Sequence, residues 1–379
     1  MPERRCGTTI RAHRSSADRA LPMSGTSSSA IWHDRTPLLV LGTGTALPGD
    51  PIATEELLTT VDRRFALSLR RPGLAIAHKL GIHCRHLCRD MARRLEAPRK
   101  GHRNPELAAA AVRAALREAG LVAQDLSYLI GHTATPARLM PPNIGQVAEI
   151  LDYDGPFVEF RQACTGFANA LVFAQGLLRA GAGPVAVVGS ETGSVFFDPH
   201  RAAEDAGQLV NLVQMGDGAA AIIVARDDDR SGARLSDVFY GQMGRGRVHG
   251  LAVTDGGSDA PRCGLGFPEF QHDFASIRNS GLELLLHCAA TAGDVGAESS
   301  DYILPHQANG RMDAILATPL GVARERIVVT ADRLGNTGSA AIWLALAQLR
   351  PTLRTGQTVL VLGAEATDFM FGGFRYYHA

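Results

Sequence analysis

The chain has 379 residues, 45% of them apolar and 20% charged, enough to bury a large core in two or three domains or in one large α/β unit. Lys+Arg and Asp+Glu each number 38, and this zero balance excludes a dedicated nucleic-acid binder, which carries a basic excess. The longest purely aliphatic run, 219–225, is far below the ~20 residues that span a bilayer, and no charged start leads into an apolar signal core. The six cysteines are scattered, which predicts reduced thiols in a cytoplasm rather than a disulfide framework.

In chain order, residues 1–35 stand apart. Arg4, Arg5, Arg11, Arg14 and Arg19 with few acids, and a Ser-rich stretch at 27–29, predict a disordered leader. A transit peptide has the same composition, and Met23 is an alternative start. Order is expected from Leu38, where Leu38-Leu39-Val40-Leu41 reads as a buried strand running into Gly-Thr-Gly. Residues 63–103 are basic and rich in His and Cys, and predict loops with short helices. Pro105 to Ala119 is a predicted helix stopped by Gly120. Strands and helices then alternate, the pattern of an α/β protein with a parallel sheet covered by helices.

An internal repeat organises the rest. The first copy runs Leu126-Ser-Tyr-Leu-Ile-Gly-His132, then Cys164-Thr-Gly, an Ala-rich helix, and Val185-Ala-Val-Val-Gly-Ser-Glu191. The second runs Asp301-Tyr-Ile-Leu-Pro-His306, then Asn336-Thr-Gly, an Ala-rich helix, and Val359-Leu-Val-Leu-Gly-Ala-Glu365. Matching order and spacing predict two similar halves, 36–225 and 226–379, with Cys164 and Asn336 at equivalent helix openings. A cysteine at a helix N-terminus meets unpaired N–H groups and the positive dipole end, which favour the reactive thiolate. His306, just past a strand, can point into the same cleft. Asn336 alone reads as a helix cap.

Taken together, Cys164, His306 and Asn336 suit a two-stage acyl chemistry. The thiolate takes an acyl group; neutral His306 and the Asn336 amide then donate to a second thioester carbonyl, stabilising the enolate that forms as CO2 leaves a malonyl-type unit. The tetrahedral oxygen needs its own backbone donors, for which Cys164 and Gly372, in Phe371-Gly372-Gly373-Phe374, are the candidates.

At this point the sequence resembles β-ketoacyl-[acyl-carrier-protein] synthase III, of the thiolase-fold superfamily, from about Leu38 onward. The resemblance rests on Leu41-Gly-Thr-Gly-Thr-Ala-Leu-Pro48, Ala163-Cys-Thr-Gly-Phe167, Met215-Gly-Asp-Gly-Ala-Ala220, Pro305-His-Gln-Ala-Asn309 and Asp332-Arg-Leu-Gly-Asn-Thr337. It implies a layered αβαβα fold of two pseudo-repeated halves. It also implies a cytoplasmic homodimer without cofactor, taking an acyl group from acyl-CoA or an acyl-carrier protein and a malonyl-type carrier-protein acceptor, in fatty-acid or specialised polyketide synthesis. By the same resemblance Cys164 is the nucleophile, and His306 and Asn336 are the decarboxylation pair. Arg311 and Arg278 are carrier-arm or CoA contacts, and Met140 enters the dimer partner's acyl pocket. The sequence departs from the family's pattern at Ala75, where an adenine-stacking Trp is frequent, at Thr318-Pro319, where a basic pair is expected, and at Gly338, where Ser is usual. These departures imply weaker CoA recognition and an unusual or carrier-bound acyl donor.

Other signals are weaker. His83-Cys84-Arg85-His86-Leu87-Cys88 has metal-binding residue types, but four ligands within six residues do not surround one ion. Gly42-Thr-Gly44 lacks the third glycine of a dinucleotide loop. Two further functions compete with condensation: acyl transfer to an oxygen, nitrogen or non-malonyl carbon without loss of CO2, and an inactive partner of a heterodimer.

Overall fold

The computed structural model describes residues 30–93, 97–228, 230–253 and 270–379, with the backbone alone at 274–276, 278 and 279. Ten strands form one mixed sheet: β1 (Trp32–Asp34), β2 (Leu38–Ala46), β3 (Tyr128–His132), β4 (Phe157–Phe160), β5 (Val185–Glu191), β6 (Gly218–Arg226), β7 (Arg234–Gln242), β8 (Tyr302–Pro305), β9 (Thr358–Glu365) and β10 (Met370–Tyr377). Their order is β8-β9-β10-β7-β2-β6-β5-β3-β4, with β1 beside β7. From the central β2–β7 contact outward, each side runs two antiparallel pairings and then a parallel one: β2-β6-β5-β3 on one side, β7-β10-β9-β8 on the other. Only β4 has no counterpart on this path.

Helices α1 (Thr54–Phe65), α2 (Arg70–Leu80), α3 (Asn104–Ala119), α4 (Asn143–Leu151), α5 (Gly166–Arg179), α6 (Phe274–Thr291), α7 (Met312–Leu320) and α8 (Ala341–Leu349) provide the main layers. Every residue of β5 is buried, and side chains alternate between its faces. Val185 and Val187 join α5 and α8 in a central cluster, together with Val359, Val361 and Phe374 from the other half. Ala186 and Val188 pack outward under α3 and α4. Leu360 and Leu362 of β9 pack outward with Leu284 and Leu285 of α6 and Met312 and Leu316 of α7. The layers are therefore helix, sheet, helix, sheet, helix: α/β with the thiolase-like αβαβα arrangement. The central layer is closed by aromatic contacts. Phe167 meets Trp343 edge-on, and Trp343 stacks on Phe374. Burying each phenyl ring contributes about 1.5–3 kcal/mol. The Trp343 indole N–H donates to His132 Nε2 at 3.3 Å, joining α8 to the end of β3.

Three elements differ from expectation. Order begins before Leu38: Trp32–Asp34 pairs antiparallel with Val238–Tyr240, and the buried Asp34 carboxylate pairs with Arg179. Residues 1–29, the rest of the expected leader, lie outside the described residues. The basic stretch expected as loops with short helices carries the end of α1 and the regular helix α2, packed through Leu58 and Gly73, where a Cβ on Gly73 would lie 2.7 Å from Leu58 Cδ1. The Asn336 turn opens with one 3-10 turn, Gly338–Ala340, before α8. The helix expected from Pro105 is α3, ended by Gly120 at φ +68°.

Candidate active site

Cys164 lies two residues before α5. It is half-buried as a residue, and the carboxylates whose charges act on its thiol are Glu365 and Glu191. Its surroundings do not favour the thiolate that a helix N-terminus suggests. Desolvation, then the charges of Glu365 and Glu191, push the thiol well above its usual range, with its own N–H acting weakly the other way. The helix start is already occupied: Glu365 accepts from Thr165 N at 2.9 Å and from Thr165 Oγ1 at 2.7 Å, and from Ala163 N at 3.4 Å.

His306 follows β8, and its N–H donates to the Leu362 carbonyl of β9 at 2.6 Å. The residue is buried, and desolvation lowers the ring to about 4, so it is neutral at pH 7. Nδ1 is buried with no hydrogen-bond partner among the described residues. A proton on Nε2 is therefore the tautomer that leaves no buried donor unpaired.

Asn336 is held through its backbone. Its N–H donates to Gln214 O at 2.8 Å, and its carbonyl accepts from Gly216 N at 3.0 Å. Its side-chain Oδ1 accepts from Gly338 N at 3.0 Å. That bond fixes the carboxamide and leaves the Nδ2 hydrogens as its donors. Gly338 has φ +48°, and a Cβ there would lie 2.8 Å from Glu191 Cγ, so a glycine replaces the expected Ser for reasons of space and backbone.

Hydrogen bonds tie the three positions together. The Ser339 hydroxyl, three residues after Asn336, donates among oxygens of Gln162 at 3.1 Å, Ala163 at 3.2 Å and Glu191. Glu365, three residues after the Leu362 that anchors His306, holds Thr165. Cys164 thus sits between residues bonded to the Asn336 loop, through Ser339, and a residue bonded to β9, the strand to which His306 is hydrogen-bonded.

The remaining expected site residues are placed as follows. Arg311 Nη2 donates to His78 O at 2.8 Å, tying the start of α7 to the last turn of α2. Arg278 lies on α6, and its side chain is outside the described residues. Met140 is 84% exposed and Leu139 65% exposed, in the protruding loop 137–142. Gly372 does not fit the oxyanion-hole expectation. It lies inside β10, opposite Gly363 of β9 and Tyr240 of β7, so its backbone groups belong to the ladder. A Cβ there would lie 2.6 Å from the Ala168 methyl, so its role is to admit α5. The metal-like run 83–88 points to separate partners: Cys84 Sγ to Arg333 O, His86 Nδ1 to Gly49 O, and Cys88 to Ser194 and Asp217.

Sequence reasoning missed Glu191, Glu365, Thr165 and Ser339 as site residues. The two glutamates were visible as the last residues of the repeat copies, but nothing in a linear repeat says that each reaches the opposite half.

The family "3-oxoacyl-[acyl-carrier-protein (ACP)] synthase III" matches residues 158–244, and its C-terminal family matches residues 291–372. A β-ketoacyl-[acyl-carrier-protein] synthase III of Bradyrhizobium diazoefficiens is 30% identical over 350 residues, covering 89% of this chain and 96% of the relative. One from Sphingopyxis alaskensis is 30% identical over 354 residues, with 89% and 96% covered. Among solved structures, AbyA1, a tetronic acid condensing enzyme, superposes with a TM-score of 0.78 at 26% identity, covering 90% of this chain and 99% of its own. The synthase III of Pseudomonas aeruginosa gives a TM-score of 0.72 at 25% identity, with 91% and 98% covered.

Proposed function

The chain belongs to the β-ketoacyl-[acyl-carrier-protein] synthase III family and is a condensing acyltransferase, and from that premise we propose that Cys164 carries the acyl group while His306 and Asn336 drive decarboxylation. In the first stage the Cys164 sulfur bonds the donor's thioester carbonyl carbon, the bond to the carrier sulfur breaks, and the thiol's proton ends on that sulfur as the carrier leaves as a thiol. In the second, a malonyl-type thioester sets its carbonyl oxygen between His306 Nε2–H and Asn336 Nδ2–H. The bond to the carboxylate breaks, CO2 leaves, and the electron pair stays as an enolate held by the two donors. The enolate carbon attacks the acyl carbon on Cys164, the Cys164 N–H receives the developing oxyanion, and the thiolate is expelled. Donors aimed at developing charge act most strongly in such a site because water is excluded.

The observation that carries this reading is the pairing of a neutral His306 with an Asn336 whose amide oxygen is already held by Gly338 N–H. Both then serve as donors and neither as a base. Two further features support an unusual acyl donor. Ala75 is a small exposed residue on α2, without a ring to stack on adenine, and one structural relative is named a tetronic acid condensing enzyme. We assign the chain to the cytoplasm as a homodimer with halves 36–225 and 226–379, and carrier-bound acyl groups as its substrates.

The test is intact-protein mass spectrometry with a panel of acyl-CoA and acyl-carrier donors, followed by malonyl-carrier protein with CO2 detection. Cys164→Ala abolishes stable acylation. Asn336→Ala slows CO2 release by roughly 100-fold or more while leaving self-acylation near wild type. Acyl label retained on Cys164→Ala sinks the nucleophile; equal slowing of both stages by Asn336→Ala points instead to simple acyl transfer.

A further inference from the structure

The two buried glutamates at the ends of β5 and β9 form a crossed pair. Glu365, from the second half, holds the turn that presents Cys164 in the first, through Thr165 N, Thr165 Oγ1 and Ala163 N. Thr367 Oγ1 donates to its other oxygen and orients it. Glu191, from the first half, holds the turn that presents Asn336 in the second. It accepts from Ser339 Oγ at 2.5 Å and Ser339 N at 3.4 Å, and its chain packs on Gly338. Ala134 N and Thr135 Oγ1 orient it from its own half. Glu191 is 5% exposed and Glu365 2%. Carboxylates buried this deeply, each with several donors, are costly unless those donors matter.

We propose that Glu365 and Glu191 are positioning residues with divided duties: Glu365 aligns the Cys164 nucleophile for acylation, and Glu191 aligns the Asn336 amide for decarboxylation. The proposal rests on the roles given above to Cys164 and Asn336. Each glutamate reaches across the central layer, so each reactive turn is set by the opposite half. Ser339 joins the two, because its hydroxyl also faces Gln162 O and Ala163 O just before Cys164. The charged and titratable groups facing the Cys164 turn are Glu365 from β9, Glu191 from β5, Tyr240 from β7 and His132 at the end of β3, which burial keeps neutral, with Asp368 acting on Tyr240. Glu365 is the carboxylate that bonds both residues flanking Cys164. Removing its charge therefore eases thiolate formation even as it loosens the turn.

The experiment uses the full chain and reads two quantities. The first is the pH profile of Cys164 alkylation by iodoacetamide, mapped by peptide mass spectrometry. The second is the ratio of self-acylation rate to CO2-release rate. Glu365→Gln moves the alkylation midpoint down by on the order of one pH unit and lowers the self-acylation plateau about tenfold. Glu191→Ala keeps self-acylation within about twofold and slows CO2 release about tenfold or more. Glu191→Gln keeps an acceptor for Ser339 and restores it. An unchanged alkylation midpoint and plateau in Glu365→Gln overturns the first duty, and equal slowing of both stages by Glu191→Ala overturns the second. If Glu365→Gln fails to fold, Thr165→Val removes one donor to that carboxylate and shows a smaller fall in the plateau; no fall overturns the proposal. Alkylation needs no substrate. Failure of every donor to acylate the wild type therefore counts against the enzyme's proposed chemistry, while the alkylation arm still judges the clamp.

Discussion

At the residue scale, the structure departs from the sequence reading in the charge state of Cys164 and at Gly372, which lies in the β10 ladder. Cys164, His306 and Asn336 were legible because each closes or opens an element of the repeat. The thiolate expected at Cys164 was not, because the carboxylate that fills the helix start lies 201 positions downstream. His306 has the complementary property: it stays neutral because burial disfavours its cation, so the folded protein refuses a proton that the unfolded chain takes up near pH 6.5. Its contribution to stability is therefore complete above pH 6.5 and is lost as pH falls toward about 4. Glu191 and Asp217, held above their usual range by burial, act in the opposite sense, so a bare acid melt mixes the two. A comparison of wild type with His306→Gln isolates the histidine. Urea or thermal melts at pH 7 and 4.5 should show the wild type losing more stability than the variant on acidification, by about 2 kcal/mol. Equal losses sink the buried, neutral histidine.

At the element scale, the strands at 185–191 and 358–365 were legible because their apolar runs are long, and α3 because Pro105 marks its start and Gly120 its stop. Helix α2 was hidden by Pro72, Gly73 and a run of cationic residues. Its buried face is built from Gly73 and Ala77, whose small size gives no hydrophobic period but admits Leu58 of α1 at close range. Gly372 was misread for the opposite reason. A Gly-Gly pair looks like a ligand loop, whereas here it thins a strand so that Ala168 can approach. Gly338 is the glycine whose backbone the site requires. Gly338→Ala places a methyl against Glu191 Cγ in a left-handed conformation and costs about 1–3 kcal/mol. Since that turn carries Asn336, CO2 release should fall more than self-acylation in the same variant. A Gly338→Ala protein with wild-type melting and wild-type decarboxylation removes the steric argument.

At the scale of the whole molecule, the sheet ends differently on its two sides. At β8 the edge is covered: Val328 N–H donates to Ile303 O at 2.8 Å, and Ile327 bridges Ile303. At β4 no strand lies beyond Phe157–Phe160 among the described residues, and Phe157 is 41% exposed. An open edge of this kind is a template for pairing with a second chain. The neighbouring loop 137–142 projects Leu139 and Met140 into solvent, 65% and 84% exposed, an arrangement that a lone globule has no reason to keep. Both features lie on the first half, beside the strand ends that present Cys164. The homodimer proposed above would form its contact on this side, with the β4 edges meeting and the loop reaching toward the partner's site. Size-exclusion chromatography with light scattering should give a dimer for the wild type at micromolar concentration. Met140→Glu with Leu139→Glu should weaken that dimer by about tenfold or more, because two carboxylates are then desolvated at a contact built for apolar groups. A wild type that elutes as a monomer removes the interface, and a double variant that stays fully dimeric moves it away from this loop.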